Sequence, residues 1–154
     1  MLDRAISENP GCDILVKTHP DTMTGNAGGY YQKTNDSRII KVTFPINPYS
    51  LLEIVDKVYV CCTQFGLEAL LAGKEVHTFG MPIYAGWGLT VDDLKLPRRT
   101  NKRTLEELFY IFYCMYTHWV NPISNKPCSI DDAINYLLDI REDYWKEYGV
   151  RHEI

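Results

Sequence analysis

One stretch, V-Y-V-C-C-T-Q-F-G-L-E-A-L-L-A-G-K-E-V-H-T-F-G-M-P-I-Y-A-G-W-G-L-T (58–90), limits what this chain can fold into more than any other. Val58 to Cys62 is a short apolar, β-prone run of the kind buried in a parallel sheet. Thr63 is placed to cap a helix whose apolar positions are Phe65, Leu67, Ala69, Leu70 and Leu71, and Gly73 to close it. Glu75 to Phe79 reads as the next strand, so the stretch predicts a βαβ unit. Ligands of open α/β sheets bind at the carboxyl ends of the strands. Free N–H groups and the positive dipole end of a helix there suit a phosphate.

Around that unit, Leu2 to Glu8 reads as the end of a helix stopped by Pro10-Gly11, so the chain reads as a piece of something longer. Strands are expected near 14–17 and 38–44, and a mobile loop over 22–37. Asn47-Pro48 opens a short helix. Residues 80–102 read as loop. Thr104 and Glu107 form a capping box for a helix reaching about Trp119, 121–128 is a turn region, and Ser129 starts a last helix ending near Tyr148. Strands alternating with helices give an α/β fold with four parallel strands (14–17, 38–43, 58–62 and 75–79) in one sheet. The two C-terminal helices are read as a covering layer, or as packing on a neighbouring domain. One domain over 1–154 accounts for the chain.

Bulk properties narrow the function classes. A net charge of −4 without a basic run argues against nucleic acid as the main partner. No apolar run reaches membrane-spanning length, and residues 1–13 are too polar for a signal peptide. Cys12, Cys61, Cys62, Cys114 and Cys128 form no C-x-x-C pair and read as free thiols of a reducing cytoplasm. No Walker A loop, dinucleotide glycine fingerprint or metal-ligand spacing is present.

His19, fixed by Pro20, follows a strand directly, at the same expected edge as Thr63. It can donate to a phosphate oxygen, although spacing alone fits a turn histidine better. Gln64 and Glu68 are four apart and share a helical face. Glu68 serves either as a helix-stabilising residue or as an acceptor for ribose hydroxyls. In the 82–90 loop, Gly86 and Gly88 permit close backbone approach, while Tyr84 and Trp87 offer flat faces for a base or sugar. The alternative is a loop packed by its own aromatics. Asp92 and Asp93 read as a solvated pair, and Arg98, Arg99, Lys102 and Arg103 as a solvated approach rather than a phosphate clamp. His77 and His118 read as structural.

Taken together, V-K-T-H-P-D (16–21), I-N-P-Y-S-L-L-E (46–53), V-Y-V-C-C-T-Q-F-G-L-E-A-L-L-A-G-K (58–74), Y-A-G-W-G-L-T (84–90), R-R-T-N-K-R-T-L-E-E-L-F (98–109) and N-P-I-S-N-K-P-C-S-I-D-D-A-I (121–134) resemble the bacterial capsule polysaccharide biosynthesis family, in particular its β-Kdo transferase modules. The resemblance implies a GT-B glycosyltransferase of two Rossmann-like halves, of which this chain matches the donor-binding one. It implies CMP-Kdo as donor, a lipid-linked or Kdo-terminated acceptor, and no further cofactor. It also implies other capsule synthesis and export proteins as partners, at a cytoplasmic location including the periphery of the inner membrane. The family's His-Pro and Gln-x-x-x-Glu motifs fall on His19-Pro20 and Gln64/Glu68, which turns the reading of these residues towards nucleotide binding. In the family pattern an acidic pair directly follows G-W-G-L-T. Here Val91 intervenes, so Asp92 and Asp93 gain no role from it. The catalytic carboxylate is expected on the acceptor half, which has no counterpart in this chain. The other reading is a non-catalytic interaction module of a capsule assembly or export complex, motivated by the aromatic residues after Tyr110.

Overall fold

The computed structural model describes residues 1–18 and 36–149. His19, Pro20 and nearly all of the expected 22–37 loop therefore lie outside the described residues. The chain is α/β. Helix α1 (Leu2–Glu8) leads into β1 (Ile14–Lys17), which pairs in parallel with β2 (Ile39–Val42). Helix α2 (Pro48–Glu53) starts where expected, with the Asn47 side chain accepting from the Tyr49 N–H. Strand β3 (Lys57–Val60), helix α3 (Phe65–Leu71) and strand β4 (Glu75–Thr78) form the anticipated βαβ unit, β3 and β4 pairing in parallel from Lys57↔Glu75 to Val60↔Thr78.

The core gathers on this unit. Leu67 and Ala69 of α3 are fully buried, and Leu70, Leu52, Val58, Val60, Val76, Tyr84 and Leu108 complete the cluster. Burial of this kind stabilises by about 1.5–3 kcal/mol per large apolar side chain. Helix α3 ends in a Schellman arrangement, with the Lys74 N–H donating to Ala69 O and the Gly73 N–H to Leu70 O.

Several expectations need correction. The four long strands do not form one sheet among the described residues: β1–β2 and β3–β4 are separate ladders. Asn9, the C-cap of α1, joins them instead through its carbonyl and its side chain. Asn9 O accepts from Arg38 Nη1 beside β2, and Asn9 Nδ2 donates to the Tyr59 hydroxyl on β3. The expected loop after Phe79 contains a further strand, β5 (Val91–Asp92), parallel to β4. Two residues were too few to produce a readable alternation. Strand β3 stops at Val60, which leaves Cys61 and Cys62 exposed rather than buried.

The helix capped by Thr104 is α-helical only over α4 (Leu105–Phe109) and continues as a π-helical segment, Tyr110–Tyr116. The capping box itself is present. The turn region folds into a short antiparallel hairpin, β6 (Val120–Asn121) with β7 (Lys126–Pro127). Helix α5 (Ile130–Tyr148) has its own capping box at Ser129 and Asp132 but no buried residue. Only α4 and the π-helical segment cover the core, through Leu108, Phe112 and Tyr113.

Helix α1 is clamped to the sheet by the Tyr59 hydroxyl, which donates to Glu8, and by the ion pair of Arg4 with Asp93 beside β5. Glu8 accepts from Arg4 and from the Tyr59 hydroxyl, and His77, stacked on Tyr59, bonds Glu75 at 2.7 Å. Arg4 and then Tyr59 hold the Glu8 carboxyl below its ordinary value, and His77 and then Lys57 do the same for Glu75. The depressed Glu8 carboxyl means that the clamp is complete above pH 4.5 and lost as pH falls below it. Amide exchange in α1, corrected for its intrinsic pH dependence, should therefore rise relative to β3 below pH 4.5; a constant ratio would contradict the clamp. Truncation should separate core from surface. Leu67→Ala should lower the unfolding free energy by ~2–5 kcal/mol. Leu137→Ala, on a side chain 62% exposed, should shift it by less than ~0.5 kcal/mol. Denaturant titration of both variants measures the contrast.

Candidate functional site

The carboxyl end of β3 turns into α3 through Cys61, Cys62, Thr63 and Gln64. Thr63 does not sit at the cap position. Gln64 does, with helical backbone angles and no side-chain cap bond. The Thr63 hydroxyl accepts the Phe65 N–H at 3.3 Å, and Thr63 O accepts from Gly66. Thr63 is exposed, so its hydroxyl remains open to a ligand. Gln64 is engaged elsewhere: its amide donates to the Tyr113 hydroxyl at 2.8 Å and ties α3 to the π-helical segment. Burial raises the Tyr113 hydroxyl above its ordinary value, so it stays protonated and neutral.

Glu68 follows one turn later. It is half-buried, and its carboxylate makes no hydrogen bond or ion pair among the described residues. A carboxylate so placed is suited to accepting from hydroxyl groups of a ligand. Thr63, Gln64 and Glu68 are thus brought together at one strand–helix corner. His19 and Pro20 fall outside the described residues.

The 80–92 loop is held as a rigid wall, and this corrects the expectation for Tyr84. Its ring is 2% exposed within the core, so it has no free face for a base. Its hydroxyl donates to Thr63 O at 2.7 Å, fixing the corner from beneath. Burial pushes the phenol well above its ordinary range, so it is always a donor. Gly66 is required beneath it, because a Cβ there would collide with the Tyr84 hydroxyl. Gly80, just past β4, is needed for a similar reason: a Cβ would lie 2.9 Å from Cys61 O and strike Cys62 Sγ.

Trp87 is half-buried, donates Nε1–H to Ile83 O, and carries the Arg99 guanidinium 5.3 Å from its ring centroid. Arg99 is no solvated residue. Its Nη1 donates to Pro82 O and Ala85 O, each at 2.6 Å. Asp92 is not solvated either: it accepts from the Thr78 and Thr90 hydroxyls and from the Gly86 N–H, at 2.6–2.8 Å. Asp93 pairs with Arg4 at 2.6 Å. The loop's polar anchors were hard to read from sequence because their partners lie as far as 17 residues away for Arg99 and 21 for Tyr84.

Surface grooves among the described residues include the following pair. One of about 580 Å³ lies on the Gly86, Gly88, Asp92 and Arg99 side of the loop. One of about 360 Å³ lies between the π-helical segment and the hairpin, at His118, Trp119 and Cys128. Neither includes Thr63, Gln64 or Glu68. No group of three His, Cys, Asp or Glu side chains suited to a metal occurs among the described residues, and no helix there is long and apolar enough to cross a membrane.

A family model described as capsule polysaccharide biosynthesis protein matches residues 1–123. The chain is 42% identical over 148 residues to the capsule polysaccharide modification protein LipA of Neisseria meningitidis serogroup A, covering 92% of this chain and 21% of that protein. It is 35% identical over 131 residues to the lipopolysaccharide-processing protein LpsZ of Rhizobium meliloti, covering 84% of this chain and 30% of that protein. Among solved structures, KpsC of Thermosulfurimonas dismutans, β-Kdo 2,4 transferase, matches with a TM-score of 0.83 at 42% identity, over 88% of this chain and 43% of that one. The β-Kdo 2,7 transferase of the same organism matches with a TM-score of 0.75 at 31% identity, over 91% and 44%. The chain therefore spans a fifth to under a half of the length of these relatives.

Removing the Asp92 carboxylate leaves the Gly86 N–H and the Thr78 hydroxyl without their acceptor. Asp92→Ala should destabilise by ~1–3 kcal/mol. It should also speed hydrogen exchange at Gly86 by at least tenfold while β3 amides keep their ranking. Unchanged exchange at Gly86 would show that the loop is held without Asp92.

Proposed function

The chain belongs to the capsule polysaccharide biosynthesis protein family, and from that premise we propose that it is the donor-binding half of a glycosyltransferase that transfers Kdo from CMP-Kdo. The observation that carries the proposal is the corner at the end of β3. There an exposed Thr63 hydroxyl stands just before α3 and the Glu68 carboxylate, without a hydrogen bond among the described residues, in its first turn, at the strand edge where open α/β sheets bind ligands. The likeness to two Kdo transferases supports the choice of sugar.

In this reading Glu68 accepts from the ribose hydroxyls of the cytidine nucleotide, and Thr63 donates to the ligand beside it. His19 donates to the phosphate, whose charge is then met without a metal ion. Gln64 positions α3 through Tyr113 rather than touching the nucleotide. The loop bearing Gly86, Trp87 and Gly88 walls the site, with Trp87 offering what remains of its ring to the sugar. Residues 1–154 form this one donor domain, and the second Rossmann-like half of a GT-B enzyme supplies the catalytic carboxylate and binds a lipid-linked or Kdo-terminated acceptor. The enzyme works in the cytoplasm with other capsule synthesis and export proteins, at the inner face of the membrane.

Two substitutions test the assignment by calorimetry. His19→Ala should lower CMP affinity by about 10- to 150-fold, equivalent to the ~1.5–3 kcal/mol of a charge-assisted hydrogen bond. It should leave cytidine binding unchanged, since cytidine lacks the phosphate. Glu68→Ala should weaken both ligands. No saturable binding of CMP by the unaltered chain at millimolar concentration would overturn the proposal. A Glu68→Ala variant with lower melting temperature and full CMP affinity would make Glu68 a structural residue.

A further inference from the structure

Cys61 and Cys62 are adjacent in the chain, and both are exposed at the carboxyl end of β3, immediately before Thr63. Within a strand, neighbouring side chains point to opposite faces. Here the ladder stops at Val60 and the chain bends at these two residues, so that alternation no longer applies. The two thiols are hydrogen-bonded to one another instead. Cys62 Sγ also lies against Gly80, where a Cβ would strike it, so the space it occupies depends on that glycine. The proposed function uses neither sulfur.

The chemistry of the pair narrows what it can take. Desolvation of its sulfur, and then the hydrogen bond to Cys62, raise the Cys61 thiol above its ordinary value, so it is protonated at neutral pH. A protonated thiol attacks disulfides slowly. Geometry also disfavours closing the pair into a disulfide. Adjacent Cα atoms stand about 3.8 Å apart across a trans peptide, short of the ~4.4 Å at which disulfides begin. The dithiol therefore persists in reduced form. A single larger, thiophilic atom that bonds both sulfurs is free of that restriction, because the sulfurs need not bond each other. No third His, Cys, Asp or Glu side chain joins them to make a metal-holding group among the described residues, so a tetrahedral zinc site lacks its ligands there. The fitting occupant is a centre that two sulfurs satisfy.

We propose that Cys61 and Cys62 form a dithiol site for trivalent arsenicals, and that its occupant closes the strand–helix corner to nucleotide. In the capture step an organic arsenoxide loses its oxygen. Two As–S bonds form, the two S–H bonds break, and both protons leave with the oxygen as water. Arsenic stays trivalent, so no oxidant or reductant takes part. Both sulfurs act electrostatically on the Tyr84 hydroxyl, the group that fixes Thr63 O, so a bridge across them bears on the corner directly. Closure rests on the reading of that corner as the nucleotide site; capture does not.

Phenylarsine oxide is the probe. Mass spectrometry of the full chain should show a single phenylarsenic bridge, which dimercaptopropanol removes and an excess of a monothiol does not. Cys61→Ser and Cys62→Ser should each weaken capture by about tenfold or more. The combined variant Cys12→Ser, Cys114→Ser and Cys128→Ser should keep the bridge, which separates this pair from the other thiols. Calorimetry should show CMP binding weakened about tenfold or more in the bridged chain. In Cys61→Ser the CMP affinity should not respond to the arsenical. Absence of the bridge overturns the site, as does a bridge that survives Cys61→Ser and is lost in Cys114→Ser. A bridge that leaves CMP affinity unchanged overturns the closure. A bridge on a chain that binds no CMP even when unaltered supports the site and discards the nucleotide reading.

Discussion

The arrangement at the candidate site depends on one side chain. Tyr84 leaves the loop after β4, enters the core beside α3, lies against Gly66 and donates to the carbonyl of Thr63. That bond holds the loop, the first turn of α3 and the end of β3 in a single geometry. It also leaves the Thr63 hydroxyl outside, since only the carbonyl is used from beneath. A phenol in this setting is a better anchor than a leucine. It fills the core and adds a second hydrogen bond to a carbonyl that already accepts from the Gly66 N–H. Gly66 is the condition for it, because any larger residue would displace the hydroxyl.

The loop is then fixed from its other side by charge. Arg99 spans the carbonyls of Pro82 and Ala85, and Asp92 collects two hydroxyls and an N–H. These groups belong to the interior order of the loop, and their charges are balanced locally by backbone dipoles. The short pairing of β5 with β4 places Asp92 beside Thr78 and so closes the loop on itself. A wall fixed by its own hydrogen bonds reduces the ordering that binding must impose.

The sequence displayed those features that depend on near neighbours. The βαβ unit was legible because Val58 to Phe79 shows a strand pattern, a helical pattern and a glycine stop in order, and the capping boxes at Thr104 and Ser129 span only three residues. Features set by distant partners were not legible. The bridge between the separate β1–β2 and β3–β4 ladders is made by Asn9 meeting Arg38 and Tyr59, 29 and 50 residues away. The burial of Tyr84 was concealed because an aromatic among glycines has the same pattern whether it faces a ligand or the core. The change from α4 to a π-helical segment within L-E-E-L-F-Y-I-F-Y-C-M-Y leaves no trace in apolar spacing, since the apolar run is continuous. Of the candidate site, Thr63 and Glu68 remain available to a ligand, while Gln64 and Tyr84 serve the frame.

That division follows from where hydrogen bonds are already made. Around the corner, Tyr84, Trp87, Arg99, Asp92 and Gln64 each have a protein partner at 2.6–2.8 Å. Glu68 has none among the described residues, although its half-buried position makes a bare carboxylate costly. Helix-interior glutamates at a surface ordinarily pair three or four residues along. Here those positions are Leu71 and Ala72 on one side and Phe65 and Gln64 on the other, and Gln64 donates its amide to Tyr113. The helix therefore offers Glu68 no internal partner, while the adjoining Tyr113 hydroxyl accepts from the Gln64 amide and keeps its own proton to donate. What completes the carboxylate must come from outside α3, and a pair of vicinal hydroxyls matches its two oxygens in both number and polarity.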